Sequence, residues 1–134
     1  MKYTLAIHGA PYASQAAQHG IAFAEALLRQ KHTIERIFFF HEGVYQALST
    51  RVIPQGEEEL LEKWQGLGSQ GIELAVCIAS GIKRGVINEA ERLRYEKNAS
   101  NLAEHFTLVG LGQLISAIND ADQLAQTNQS KMLG

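Results

Sequence analysis

The segment "IELAVCI" (residues 72–78) becomes apolar at both odd and even positions toward its end. A strand with one face in water alternates apolar and polar residues, whereas a strand covered by helices on both faces is apolar throughout. The segment therefore predicts an inner strand of a parallel sheet. Its sequence also places Cys77 close to the carboxyl end of that strand.

Working outward from this strand, apolar segments of strand length alternate with helical patterns. Four further strands are predicted, over residues 2–9, 33–40, 106–110 and 122–127. Helical patterns are found over residues 14–30, 57–67, 88–106 and 110–120. The alternation predicts a three-layer α/β fold, in which a mostly parallel five-stranded sheet carries helices on both faces. We take the flavodoxin-like strand order 2-1-3-4-5 as the preferred topology.

Length and composition restrict the organisation and the class of protein. The 134 residues, 46% of them hydrophobic, are enough for one packed domain, which we place at 1–127 with a frayed tail at 128–134. A net charge of -2 leaves no basic excess for a phosphate backbone, so direct nucleic-acid binding is not expected. The apolar N-terminal run is too short for a signal peptide or a membrane span. A soluble cytoplasmic protein is therefore expected.

Polar and reactive side chains fall at the predicted strand ends. Cys77 is the only cysteine, so it cannot form an internal disulfide and should be a free thiol. His8 and His41 end the first and second predicted strands. The carboxyl ends of parallel strands share one edge, and we expect a crevice there between the first and third strands. The three side chains should then lie along that edge.

The turn predicted after Cys77 contains groups that suit an anionic sulfur. Ser80 is a possible hydrogen-bond donor, as is His8, and the adjacent cations Lys83 and Arg84 would favour the thiolate form of Cys77. The alternative for both cations is an ordinary place on the surface. The alternative for Cys77 is simple packing, because free cysteines are among the most buried residues.

Other uses of the same side chains have weaker support. A zinc site built from His8, His41 and Cys77 lacks a short-spaced ligand pair, so no bound metal is expected. A cysteine hydrolase with His41 as its base lacks a clearly placed acid to orient the imidazole. The apolar group Val44, Tyr45 and Leu48 follows a predicted strand end, and we expect it to be exposed and to form a subunit contact.

Three stretches together carry a family resemblance that covers nearly the whole chain. They are "FFFHEGVYQA" (38–47), "VCIASGIKRGV" (76–86) and "SNLAEHFTLVGLGQL" (100–114). In this order they resemble the DsrE-like sulfur-transfer proteins. The resemblance implies that Cys77 is the active-site cysteine and carries a persulfide sulfur, without a metal or an organic cofactor.

The resemblance is strongest to the branch of the family that serves tRNA 2-thiouridine synthesis. It implies assembly with TusB- and TusC-like subunits into a heterohexamer. It also implies a TusA-like sulfur donor and a TusE-like acceptor, which works with the enzyme that thiolates the wobble uridine. The alternatives are a DsrE subunit of a DsrEFH complex in dissimilatory sulfur oxidation and a non-catalytic assembly subunit with a buried Cys77.

Overall fold

The computed structural model describes residues 1–13, 15–113, 115, 123–127 and 132–133. The strands are β1 (Lys2–Ile7), β2 (Thr33–Phe39), β3 (Glu73–Cys77), β4 (Phe106–Val109), β5 (Gln123–Thr127) and β6 (Met132–Leu133). The α-helices are α1 (Ala16–Arg29), α2 (Leu60–Gly68), α3 (Ile78–Lys83) and α4 (Glu89–Arg94), and a 3-10 helix spans His41–Ala47. The predicted α/β class with a mostly parallel sheet is confirmed.

The sheet has the order β4-β3-β2-β1-β5-β6, in which the first five strands are parallel and β6 is antiparallel to β5. The predicted order 2-1-3-4-5 is wrong, and the sheet has six strands where five were predicted. β2, β3 and β4 each lie beside the strand that precedes them in the chain. The chain then returns to place β5 on the other side of β1. The winding direction therefore reverses between β1 and β5, and β2 separates β1 from β3. No crevice forms between the first and third strands.

The main core lies between one face of the sheet and α1, α2 and the 3-10 helix. In α1, helical spacing predicts one apolar face of Ala17, Ile21, Ala24, Leu27 and Leu28. The first four are buried in this core, and Leu28 is partly buried against it. A smaller cluster lies on the other face of the sheet and contains Phe38, Ala75 and Val109. The sheet is thus apolar on both faces, which agrees with the pattern of the β3 segment.

Local structure departs from prediction on both sides of Asn88. The turn predicted after Cys77 is the helix α3, whose six residues are too few to show a helical period. The charged region 88–106, predicted to be helical, is helical only in α4. The Asn88 side chain caps the start of α4, and Glu96 follows its end in a left-handed conformation (φ 55°), which stops the helix.

At the C-terminus, the predicted last strand is confirmed as β5. Met132 and Leu133 pair with β5, whereas 128–131 and 134 of the predicted frayed tail lie outside the described residues. The predicted helix over 110–120 is helical at 111–113 and 115, and 114 and 116–120 are also outside the described residues.

Candidate functional site

Cys77 is the last residue of β3 and the N-cap residue of α3. Its backbone is still extended (φ -60°, ψ 118°), and it is in register with Val109 of β4. Strand alternation therefore places its side chain on the same sheet face as Ala75. Cys77 is a free cysteine of intermediate exposure. Cys77 thus lies, partly exposed, at the carboxyl edge of the sheet.

The start of α3 is joined to the end of β2 by a side-chain hydrogen bond. The backbone N–H of His41 donates to Ser80 Oγ over 3.2 Å. Ser80 is three residues after Cys77, so both residues lie on one side of the first turn of α3. The hydrogen bond therefore fixes the 3-10 helix, which begins at His41, beside the turn that follows the thiol.

The 3-10 helix also packs closely on the end of β1. A Cβ built on Gly43 would lie 2.1 Å from the carbonyl oxygen of Ile7, so any larger side chain would push the two backbones apart. The close approach brings the carboxyl ends of β1, β2 and β3 into one surface. The predicted meeting of strand ends is therefore found, although the strand order differs from the predicted one.

His8 lies in a stack of rings at this edge. Its ring centroid is 5.5 Å from that of Phe40 and 5.6 Å from that of His41. Burial lowers the pKa of His8 below 6.5, and the nearby His41 lowers it further. Cys77 is two strands away, which corresponds to about 10 Å between the backbones. The structure thus places His8 with His41, and its role toward Cys77 stays a prediction.

Lys83 and Arg84 lie at the end of α3 remote from Cys77. The six residues of the helix rise by about 9 Å. Arg84 Nη1 donates to the backbone oxygen of Ser80 over 3.3 Å, a position from which the cation also suits the negative end of the helix dipole. Lys83 is exposed and makes no hydrogen bond or ion pair with the described residues. Their proposed effect on the thiolate is untested.

A buried polar contact behind the site was not found from the sequence. The Gln46 side chain is fully buried, donates through Nε2 to the Gly9 oxygen over 2.9 Å and accepts from Trp64 Nε1 over 3.1 Å. It joins the loop after β1, the 3-10 helix and α2. No periodicity marks a glutamine as buried in a 3-10 helix, so the only sequence signal was its place within the stretch 38–47.

The loop after β1 is held by hydrogen bonds to the segment before α2 and to the 3-10 helix. The Tyr12 hydroxyl donates to the Glu58 backbone oxygen over 2.6 Å, and the Gly9 oxygen is held by Gln46. Ser14 lies outside the described residues. The loop thus supports the 3-10 helix and the segment before α2.

The expected exposed apolar group is not exposed. Val44 is fully buried, and Tyr45 and Leu48 are half-buried against the main core. The prediction that this group is exposed is therefore wrong, and the subunit contact expected from that exposure loses its support. Val44 and Tyr45 lie in the 3-10 helix and Leu48 directly follows it, whereas the sequence suggested a loop.

The zinc alternative is not supported. Within the described part of the chain, no three His, Cys, Asp or Glu side chains form a group that could hold a metal ion, and His8, His41 and Cys77 are all described. Separately, none of the described helices has the length and hydrophobicity that crossing a bilayer requires.

The amino-acid sequence matches a known family of proteins. The DsrE/DsrF-like family matches residues 1–126. The chain belongs to the DsrE/DsrF-like family. This DsrE/DsrF-like chain is 37% identical over 127 residues to a sulfurtransferase TusD homolog of Vibrio cholerae, covering 94% of the chain and 97% of the relative. Sulfurtransferase TusD of Enterobacter sp. is 37% identical over 127 residues, covering 94% and 99%.

A relative from the other branch of the DsrE/DsrF-like family is equally similar. The putative sulfurtransferase DsrE of Allochromatium vinosum is 37% identical over 125 residues, covering 92% of this chain and 96% of the relative. The crystal structure of the ychN protein from E. coli superposes with a TM-score of 0.76 at 19% identity, covering 94% of this chain and 98% of that one. The latter comparison shows the fold alone. The predicted family resemblance is confirmed.

Protonation of His8 is expected to destabilise the fold. Because its folded pKa is lowered below the unfolded value of 6.5, its neutral form is favoured by folding. The contribution of His8 to the free energy of unfolding is fully present above its unfolded pKa and is lost as the pH falls through its folded pKa. Urea unfolding at about pH 7.5 and about pH 5.5 measures this loss.

The His8→Gln variant should lose less stability between these two pH values than wild type does. His19→Gln is the matched control, because His19 is exposed on α1. It should retain the wild-type pH dependence. An identical loss of stability in wild type and His8→Gln would contradict the prediction.

Proposed function

We propose that this chain is a sulfurtransferase subunit that relays sulfane sulfur as a persulfide on Cys77. The observation that carries the proposal is the position of Cys77: a free, partly exposed cysteine at the carboxyl end of β3. Its support is membership of a family with relatives named sulfurtransferases over nearly the full length of the chain. Packing alone does not require a thiol at this edge of the sheet.

Each transfer is a thiol–persulfide exchange. The Cys77 thiol first loses its proton to solvent, and the thiolate attacks the terminal sulfur of a donor persulfide. A bond forms between Cys77 Sγ and that sulfur while the donor S–S bond breaks, and the donor leaves as a thiolate. The acceptor's thiolate then attacks the terminal sulfur on Cys77, which regenerates the Cys77 thiolate. One sulfur atom moves without a net oxidation, so no cofactor is needed.

The surroundings of Cys77 are suited to its anionic forms. The amides in the first turn of α3 have no acceptor within the helix, and Cys77 is its N-cap residue, although the Cys77 side chain accepts no capping hydrogen bond from them. We propose that these amides, with the Ser80 hydroxyl, stabilise the thiolate and the persulfide. Lys83 and Arg84 add positive charge along α3, and we propose His8, two strands from Cys77 at the same edge, as a further hydrogen-bond donor to the sulfur.

We further propose that the sulfur is destined for 2-thiolation of the tRNA wobble uridine. The support is the similarity to proteins named TusD. Deletion of the gene should remove 2-thiouridine from hydrolysed tRNA, measured by mass spectrometry of the nucleosides, and wild-type but not Cys77→Ser protein should restore it. Unchanged 2-thiouridine together with lost oxidation of reduced sulfur would favour the DsrEFH alternative, which the similarity to the DsrE relative supports.

The proposed complex contains TusB- and TusC-like subunits, receives sulfur from a TusA-like donor and passes it to a TusE-like acceptor. Co-expression with the two subunits should therefore produce a hetero-oligomer. Light scattering with in-line size exclusion measures its mass, and the same chain expressed alone gives the reference. A monomeric mass at all micromolar concentrations, with and without the two subunits, would contradict the assembly.

A further inference from the structure

A pocket of about 400 Å³ lies at the end of α3 opposite to Cys77. Ile82, Ile87 and Ala99 give it an apolar lining, to which Tyr95 contributes an aromatic ring and Lys97 a cation. A pocket of this volume is at the lower end of the range for sites that hold one small group, about 300–1,000 Å³. A subunit interface of standard size is instead a broad surface of about 800 Å² per partner. Its size therefore fits a single anchoring group.

The chain around this pocket is basic, although the protein as a whole is not. Residues 83–97 contain five Lys or Arg and three Glu, whereas the whole chain has a net charge of -2. Two of these carboxylates are near arginines of α4: Glu89 is 2.6 Å from Arg92, and Glu91 is 3.8 Å from Arg94. Lys83 has no partner among the described residues. The surface is therefore complementary to an acidic group.

Cys77 and the pocket are separated by the length of α3. Ile82 is five residues beyond Cys77 on α3, a rise of about 8 Å. An extended chain covers this distance in about three residues at roughly 3.3 Å per residue. An anchor in the pocket would thus hold a nearby cysteine of the same segment at the thiol.

We propose that this pocket is the docking site of the carrier protein that exchanges sulfur with Cys77, an inference that rests on the proposed function. The carrier inserts an apolar or aromatic side chain between Ile82, Ile87 and Tyr95. Carboxylates beside that side chain pair with Lys97 and Lys83. Such charge pairing speeds encounter and orients a transient partner, which suits a relay in which each carrier must leave after transfer.

The test compares a protein acceptor with a small one. The chain is loaded with inorganic polysulfide, freed of excess, and mixed with either a TusE-type carrier or dithiothreitol; intact mass follows the loss of sulfur. Lys97→Glu and Tyr95→Ala should each lower the rate to the carrier about tenfold at low salt and leave the rate to dithiothreitol unchanged. The fold should survive both changes, because Tyr95 is exposed and Lys97 bonds to Arg92 only through its backbone, whose N–H donates to the Arg92 oxygen and whose oxygen accepts from Arg92 Nη1.

Arg29→Glu is the matched charge-reversal control. Arg29 is exposed in the last turn of α1, so this variant should transfer to the carrier at the wild-type rate. Unchanged carrier rates in Lys97→Glu and Tyr95→Ala would overturn the docking proposal. So would an equal loss of rate to dithiothreitol, or a change in oligomeric mass that identifies a subunit as the occupant.

A binding measurement separates failure of docking from failure of the proposed function. Fluorescence anisotropy follows a labelled carrier, with its cysteine replaced by alanine, as it binds the unloaded chain. Weaker binding to Lys97→Glu than to wild type supports docking even if polysulfide never loads Cys77, a result that would reject the sulfur-transfer function alone. Equal binding to both proteins overturns the docking proposal whatever the loading result.

Discussion

Cys77→Ser is expected to abolish sulfur acceptance and to leave the fold intact. Serine is close to cysteine in shape, and Cys77 is only partly buried, so the stability loss should be small, about 1 kcal/mol or less. A hydroxyl cannot hold the transferred sulfur, because the reaction requires a thiolate that forms an S–S bond. Intact-mass spectrometry after incubation with a persulfide donor should show reducible added sulfur on wild type and none on the variant.

Ala79→Ser is the matched control for this substitution. Ala79 is exposed in the same turn of α3, so adding a hydroxyl there should preserve both the fold and sulfur acceptance. Alkylation of the native protein supplies a second readout: an accessible Cys77 should react rapidly with iodoacetamide. Failure of wild type to gain sulfur from any competent donor, or slow alkylation until the protein unfolds, would instead identify Cys77 as a packing residue.

Gln46→Leu is expected to lower the free energy of unfolding more than any other single substitution named above. The change removes both side-chain hydrogen bonds and leaves the Trp64 indole N–H and the Gly9 oxygen without these partners, in residues that are buried. Each unsatisfied buried group costs about 1–3 kcal/mol, so a loss of about 2–5 kcal/mol is expected. Urea unfolding followed by tryptophan fluorescence measures it, because Trp64 is the only tryptophan.

Gln55→Leu is the control, since Gln55 is exposed in the loop before α2. Its stability should remain within about 0.5 kcal/mol of wild type. Trp64→Phe combined with Gln46→Leu should cost less than the sum of the single changes, because the unsatisfied indole donor is then absent. Far-UV circular dichroism follows the unfolding of all proteins in this cycle, because those with Trp64→Phe contain no tryptophan. A Gln46→Leu protein as stable as wild type would show that the buried contact contributes nothing to the fold.

Hydrophobic patterning was sufficient for the α/β class and for the strands. β2, β4 and β5 match their predicted ranges to within one residue at each end, and α1 buries the predicted stripe. The position of Cys77 at the end of an inner strand was also correctly predicted. These features are readable because the period of apolar residues is a local property of the chain.

Strand order and the neighbours of each site residue depended on tertiary contacts. The strand patterns do not specify which parallel strand lies beside β1, since the apolar residues that mark a strand as inner do not name its neighbours. Packing of the 3-10 helix against Ile7 brought His41 to Ser80 and His8, and carried Gln46 inward to Trp64. These contacts join residues up to 39 positions apart, and no local period encodes a pairing over that separation.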